Sequence, residues 1–465
     1  MSILRRMNLL NDSAVVINPA TEEKQNEVIA NQTDGTQLAA IQGTQGATFV
    51  QNPDGHMIID FDTNEPSHDA FGRLRVSMPE TLLDLKQTRD NLPLFYDDSE
   101  VSGSGTTSTH SVNTSTTTMG VAETTAGHRV RQSKLWGNYQ PGKSQFIALT
   151  FADMVSTSGV RKMAGYFWDR WGIYFKHEDG VANIGIRTYN TGSAVDEDVI
   201  QSNWNLDTFD GSGDSGNPSG ILIDFSKTLI WVTDYQWLGV GRVRVGFEIG
   251  GTLYYAHEFL HANLEDEVFM SNPNSPIRYE IKNDGTGAAS TMSHICATIM
   301  SEGGQDQTAI TSYESRNGTV IALANQDIFT PVLSFRKKST APCTKVNPID
   351  ISVVLTTNTN YEWALFLNPT IAGTDAVSWT SVTNSSLEYD ISRTNANTPS
   401  GGLKLTGGYG SSSNQVHGIA GQVIESFLGL GMNIDMSMDE LVLGVKNVDG
   451  NGGNCYAGMT FSEYC

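Results

Sequence analysis

The chain has 465 residues, and 51 acidic against 29 basic side chains give it a formal net charge of −22. Such a surface repels a phosphate backbone, and the longest cationic run, Arg336-Lys337-Lys338, is too short to make a basic patch, so nucleic acid is not an expected partner. No stretch approaches the roughly 20 apolar residues of a membrane span, and residues 1–10 are too short and broken for a signal peptide, so synthesis in the cytoplasm without membrane insertion is expected.

Charged residues make up only 17% of the chain, while Ser, Thr, Asn and Gly abound, which favours tight turns and β-structure over long helices. Four cysteines, Cys296, Cys343, Cys455 and Cys465, include no Cys-x-x-Cys pair, so neither a zinc ribbon nor a disulfide-dense scaffold is indicated. Cys455 and Cys465 are close enough in sequence to leave a disulfide or an inter-subunit link open.

Residues 1–64 read as an anchor or tether. The segment NPATEEKQNEVIANQ (18–32) predicts one short helix, with Pro19 near its start, Glu22 and Glu23 in the first turn and Val28-Ile29 on one side. The Gly-punctuated stretch that follows, 33–61, buries too little to fold alone and is expected to order against a partner or against copies of itself.

From residue 65 the texture turns to strands. The Ser/Thr-rich stretch 101–132 would pass for a disordered linker on composition, but the β-propensity of Thr favours an exposed strand pair. Between 144 and 310, short apolar runs such as SQFIALTFADM, GIYFKHED and GRVRVGFEI are separated by turn signals at Glu178-Asp179-Gly180, Gly250-Gly251 and Asn283-Asp284-Gly285. Cys296, within the apolar run SHICATIM, is expected to be a buried small hydrophobe. A second set of strand signals begins near 311 with TVIALA, PVLSFRKK and IDISVVLTT. The expected fold is all-β: a tether with a short helix (1–64), an antiparallel, jelly-roll-like β-sandwich (65–310) and a second C-terminal β-sandwich domain (311–465).

Five patterns invite a chemical reading. His257-Glu258-x-x-His261 has the order of a zinc-protease helix. It follows Arg242 to Ile249, which alternates strictly, and the Gly250-Gly251 turn, so a hairpin strand is predicted there. Residues four apart on a strand lie about 13 Å from one another, against about 6 Å on a helix, too far to share one zinc at about 2.1 Å. Were the segment helical, Glu280 would be the candidate third ligand.

The run Gly213-Asp214-Ser215-Gly216-Asn217-Pro218 is similar to the nucleophile stretch of chymotrypsin-like proteases, but no histidine context upstream supplies a base, and a surface loop is expected. Asp207, Asp210, Asp214 and Asp449 lie in turn-rich loops that match no twelve-residue calcium pattern. Trp168, Trp171, Trp204, Trp231, Trp237, Trp363 and Trp379 would stack on sugars if exposed, and in strands such as LIWVTDYQWL are expected to fill a core instead. Gly239-x-Gly241 lacks the third glycine of a dinucleotide fingerprint. No catalytic, metal or cofactor residue is assigned.

The segments DAFGRLRVSMPETLLDLKQ (69–87), NYQPGKSQFIALTF (138–151), DFSKTLIWVTDYQWLGVGRVRVGF (224–247), HEFLHAN (257–263) and HICATIMSEGG (294–304), in that order, resemble a family of virion structural proteins of tailed bacteriophages. SLEYDIS and YEWALFLNPT extend a looser likeness, and NPATEEKQNEVIA is similar to the leading segment of phage tail and appendage proteins. The resemblance implies a virion component without saying which one, and the leading expectation is a non-enzymatic protein of tail, baseplate or fibre type, anchored by its N-terminus. It implies other virion proteins as partners and a homo-oligomer, with a trimer the expectation for a fibre-like appendage. Head decoration or a neck fibre is the alternative place. Binding of a host receptor or glycan is the alternative function, and a zinc-dependent hydrolase the remaining one.

Overall fold

The computed structural model describes five short strands before residue 68, and from there all residues except 77, 305–307, 325–326, 357–358, 412–428, 451 and 465. The helix expected over 18–32, like Cys465, lies outside the described residues. The chain divides into two compact units, Met1–His68 with Gly72–Leu74, and Asp69–Phe71 with Arg75–Cys465. In the first, Thr48–Gln51 pairs antiparallel with Ile41–Gln42 and with Met57–Asp60.

The second unit is built of antiparallel sheets, and its single helical element among the described residues is a 3-10 turn at Gln201–Asn203. A seven-stranded sheet runs in the order Val195–Ile200, Val181–Thr188, Gly172–Glu178, Val160–Phe167, Pro276–Asn283, Gly127–Trp136 and Tyr96–Gly103. Facing it, an eight-stranded sheet runs Thr252–Phe259, Val243–Ile249, Leu229–Tyr235, Ser144–Ala152, Ser290–Glu302, Thr116–Val121 and Thr106–Ser111, and Glu80–Lys86 also pairs with Ser290–Glu302. Alternate residues of both sheets meet between them. Phe151 stacks on Phe175 at 5.5 Å and Phe247 meets Phe175 edge-on at 5.8 Å, around a fully buried Trp231. Each such ring contributes about 1.5–3 kcal/mol by leaving water.

A second core, drawn from residues 321–461, fills the space between a six-stranded sheet and a four-stranded one, with Phe335 and Phe461 4.5 Å apart. The six-stranded sheet runs Thr380–Ser381, Leu387–Asp390, Thr330–Lys337, Glu440–Asn447, Asn360–Leu367 and Leu403–Ser411. Met432, on the loop before Glu440, packs into the first core rather than the second.

The all-β expectation holds, and with it two local ones. Thr106–Ser111 and Thr116–Val121 form the strand pair expected of the Ser/Thr stretch, but only the first is at the exposed edge; Thr116–Val121 also pairs with Ser290–Glu302 and buries Thr117, Met119 and Val121. Val243–Ile249 and Thr252–Phe259 form the hairpin, with Gly250 and Gly251 at φ 64° and 85°, the left-handed pair that a two-residue turn of this type requires.

Cys296 is a correction: it is exposed. Along Ser290–Glu302 the buried set is Met292 and His294, then Ala297, Ile299 and Ser301. Between Leu149 and Phe151 the partner strand spans two residue steps where this strand spans three, from His294 to Ala297. The extra residue makes a β-bulge, and the bulge turns Cys296 outward.

Candidate functional site

The outward-facing residues of the seven-stranded sheet build a cleft of about 900 Å3. Asp97, Ser99, Glu100 and Val101 come from its edge strand, His128 and Lys134 from the next, Arg278 from the one beyond, and Asp169 from the turn after Phe167. Asn433, Ile434 and Asp435 close the far wall from the loop that precedes Glu440–Asn447. That loop is tied down by backbone contacts. Ile434 N–H donates to Asp97 Oδ2 at 2.7 Å, and Met432 N–H to the Lys134 carbonyl at 2.9 Å.

Beneath the cleft lies a charge lattice. Arg278 is buried and donates from all three nitrogens: to Glu280 Oε1 at 2.6 Å, to Gln132 Oε1 at 2.6 Å and to Asp169 Oδ1 at 2.5 Å. Glu280, also buried, has His128 Nε2 at 3.2 Å and Arg161 Nη2 at 3.4 Å on its other oxygen. Burial alone would raise the Glu280 carboxyl, but Arg278, His128 and Arg161 outweigh it and hold it well below the usual carboxylate range. Asp435 is pulled down as well, by the hydroxyl and amide of Ser437. Met163, Phe167 and Tyr174, though on the outer face, are fully buried under this layer, with the guanidinium of Arg278 5.7 Å and that of Arg187 5.9 Å from the Phe167 ring.

Two properties follow. The lining carries four carboxylates, Asp97, Glu100, Asp169 and Asp435, against the cations of Lys134 and Arg278, so it disfavours anions. Its apolar walls are Val101 and Ile434 alone, so it offers little to a lipid or an apolar cofactor. What it presents is a dense mix of donors and acceptors.

The sequence-derived candidates lie elsewhere. His257 is on the strand Thr252–Phe259, packed edge-on to Phe259 at 4.5 Å, and its Nδ1 accepts the Asn205 N–H at 3.2 Å. Glu258 sits beside Arg242, at 3.6 Å. His261, beyond the strand end, stacks on Phe269 at 4.1 Å and its Nδ1 donates to the Gly241 carbonyl at 2.6 Å. Glu280 belongs to the opposite sheet and is held by Arg278. Burial lowers His257 to about 4 and pushes His261 down, and no group of three metal-ligating side chains occurs among the described residues.

The acidic loops serve their own backbone. Asp207 accepts Phe209 N–H at 2.9 Å, Asn217 Nδ2 at 2.7 Å and Ser219 N–H at 3.1 Å, and Asp214 accepts Gly216 N–H at 2.8 Å. Asp210 accepts the Ser212 amide, and Asp449 that of Asn360. Ser215 thus sits in a loop organised around Asn217. Trp168, Trp171, Trp204 and Trp231 are buried as expected, Trp237 and Trp363 are partly so, and Trp379 lies half-buried with Arg336 4.3 Å from its ring.

Two features escape the sequence reading. Arg75, in the DAFGRLR segment, reaches Asp234 and Tyr255 on the outer face of the eight-stranded sheet and Glu302 Oε1 at 2.6 Å, while Arg242 Nε donates to the Ala70 carbonyl at 3.1 Å. The motif is a clasp. Second, among the described residues the exposed aromatics are tyrosines, Tyr313, Tyr409 and Tyr456, all in the second sandwich.

No protein-family model matches the sequence, and no curated protein matches it. Among solved structures the chain is similar to the carbohydrate recognition domain of Emp47p, at 8% identity over 48% of this chain and 96% of that one, with a TM-score of 0.29. A legume lectin-like domain from Entamoeba histolytica aligns at 10% identity over 47% and 96%, with a TM-score of 0.28. A beta-1,3-glucanase from Mycobacterium marinum aligns at 11% over 48% and 97%, with a TM-score of 0.29. Likenesses of that size carry no argument about ligand or activity.

Proposed function

We propose that this chain is a non-enzymatic β-sandwich protein whose cleft on the seven-stranded sheet takes a carbohydrate, and that it works as an appendage of a tailed-phage particle. The cleft is the observation that carries the first part. At about 900 Å3 it falls in the size range of small-ligand sites, about 300–1,000 Å3, and its polar, net-negative lining suits a neutral, hydroxyl-rich ligand better than a phosphate or a lipid. The carboxyls at the cleft whose titration is displaced, Glu100, Glu280 and Asp435, are all displaced downward, the wrong direction for a proton donor to a glycosidic oxygen. That supports binding rather than hydrolysis.

The second part rests on the ordered motifs at 69–87, 138–151, 224–247, 257–263 and 294–304. Tail or baseplate is the place proposed, in a homo-oligomer held by buried surface between copies, with a head-decoration or neck position as the alternative.

Glycan-array binding of the purified chain, repeated with Asp169→Ala and Asp435→Ala, tests the carbohydrate. Both residues are at the rim, Asp169 with 58% of its side chain exposed, and melting curves report that each variant is folded. An array without a hit, or hits indifferent to both changes, would discard this reading. Peptide mass spectrometry and antibody labelling of washed phage particles test the location, and absence of the chain from particles discards that part.

A further inference from the structure

A second sheet face carries a smaller recess that nothing above employs. Ile310–Ser315 and Lys345–Leu355 flank the strand Asn454–Tyr464 on its two sides, with Ser315 and Ser352 both opposite Gly458, and Val354 opposite Tyr456. Cys455, Ala457, Met459 and Phe461 point into the second core, so Tyr456 and Gly458 point out. A Cβ at Gly458 would meet the Tyr313 hydroxyl at 2.3 Å and its ring carbons at 2.8 Å. The Tyr313 ring therefore lies against the bare glycine, and with the residue 58% exposed its other face is open to solvent. Tyr456, 37% exposed, borders the same recess of about 230 Å3.

The recess holds no carboxylate. Its one cation, Arg316, is buried and turned inward, donating to the Val332 carbonyl at 2.6 Å and the Thr319 carbonyl at 3.1 Å. A phosphate or carboxylate in the recess meets hydroxyls rather than the guanidinium, whose three nitrogens donate to the Thr319, Val332 and Ile391 carbonyls. At about 230 Å3 the space is smaller than the roughly 300 Å3 at which whole drug-sized ligands are enclosed. One flat aromatic face, two serine hydroxyls and room for a single ring match one chemistry: the apolar face of a pyranose lying on the tyrosine, its hydroxyls meeting Ser315 and Ser352.

We infer that Tyr313, seated on Gly458 and bordered by Tyr456, is the stacking platform of a separate carbohydrate subsite that holds one neutral sugar ring of a longer chain. It stands on its own geometry and does not depend on the cleft of the first sandwich.

Saturation-transfer NMR on the full chain, with maltohexaose, cellohexaose, laminarihexaose and chitohexaose as probes, tests it. At least one probe is expected to bind, with Tyr313→Ala weakening it about tenfold and Tyr313→Phe changing it by less than about threefold, since the ring remains. Tyr456→Ala is a second variant at an exposed position and is expected to weaken the same probe. Melting curves report that each variant is folded. No saturation transfer from any probe, or transfer that survives both alanine changes, overturns the subsite. Asp169→Ala serves as the cleft control: loss there with both tyrosine variants unaffected overturns this subsite and leaves the cleft reading in place, whereas the reverse pattern supports the subsite and discards the cleft.

Discussion

Arg244 and Asp234 face each other across adjacent strands of the eight-stranded sheet, both side chains fully buried, joined by contacts of 2.9 and 2.6 Å. Tyr255 closes the group from the next strand, its hydroxyl 2.7 Å from Asp234 Oδ2 and its ring 4.2 Å from the Arg244 guanidinium. Arg75 covers it, bonded both to Asp234 and to Glu302. An interior ion pair is poor evidence of net stabilisation, because desolvating both charges costs about what their attraction returns. Its use here is geometric: it gives Arg75 a fixed point of attachment on this sheet face.

Arg244→Ala leaves Asp234 dry and half-compensated, and is expected to cost about 3–5 kcal/mol in urea unfolding at pH 7. Arg75→Ala, at a residue 20% exposed, leaves the Arg244 pair intact and is expected to cost less. Equal losses from the two would refute the ordering.

Acid should unfold the protein early. Burial holds His177 and His257 near 4 and pushes His294, beside Arg131, well below its ordinary value, against about 6.5 in an unfolded chain. A base whose folded pKa is depressed contributes stability that is present above pH 6.5 and is lost as pH falls toward the folded value, since the unfolded chain takes up the proton first. His177 and His257 together should remove about 2–4 kcal/mol between pH 7 and pH 5. Glu302 and Glu314, raised by burial, act in the opposite direction between their unfolded and folded values. Urea melts across this range should show the loss, and His257→Gln should flatten it. A flat profile for the unsubstituted chain contradicts the assignment.

Thiol reactivity separates two cysteines. Cys296 is exposed at the bulge, whereas Cys455 is buried and its thiol is pushed up to about 12 by desolvation. In the native protein a maleimide should label Cys296 within minutes and reach Cys455 only after denaturant is added. Native labelling of Cys455, read by peptide mass spectrometry, would contradict the packing of the second core.

What the sequence made legible was local. The Gly250-Gly251 hairpin and the Ser/Thr strand pair are each encoded within about twenty residues by turn chemistry and β-propensity. Cys296 was misread because alternation assumes an unbroken register, and the bulge beside it answers to a partner strand some 145 residues away. The cleft was invisible for the same reason. Asp97, His128, Asp169, Arg278 and Ile434 carry no spacing signal, and strand order alone brings them together. Exposure also has no pattern of its own: the tryptophans are buried or partly so, while Tyr313 lies against the bare Gly458 and stays open to solvent.

Zinc offers the sharpest remaining check. With Thr252–Phe259 in a sheet, Val245 pairs with His257 and Val243 with Phe259, so the strand carries the chain away from His257 before His261 is reached. Each ring is already engaged, His257 by the Asn205 amide and His261 by the Gly241 carbonyl and the Phe269 ring. Chain incubated with excess zinc and then desalted should retain no stoichiometric metal by plasma mass spectrometry. His257→Ala should lower stability by about 1–3 kcal/mol, because it strands the Asn205 N–H, and should leave the metal content unchanged. One zinc per chain that His257→Ala and His261→Ala each remove would mean that the strand rearranges to bring the two imidazoles together, and the non-enzymatic reading would fall with it.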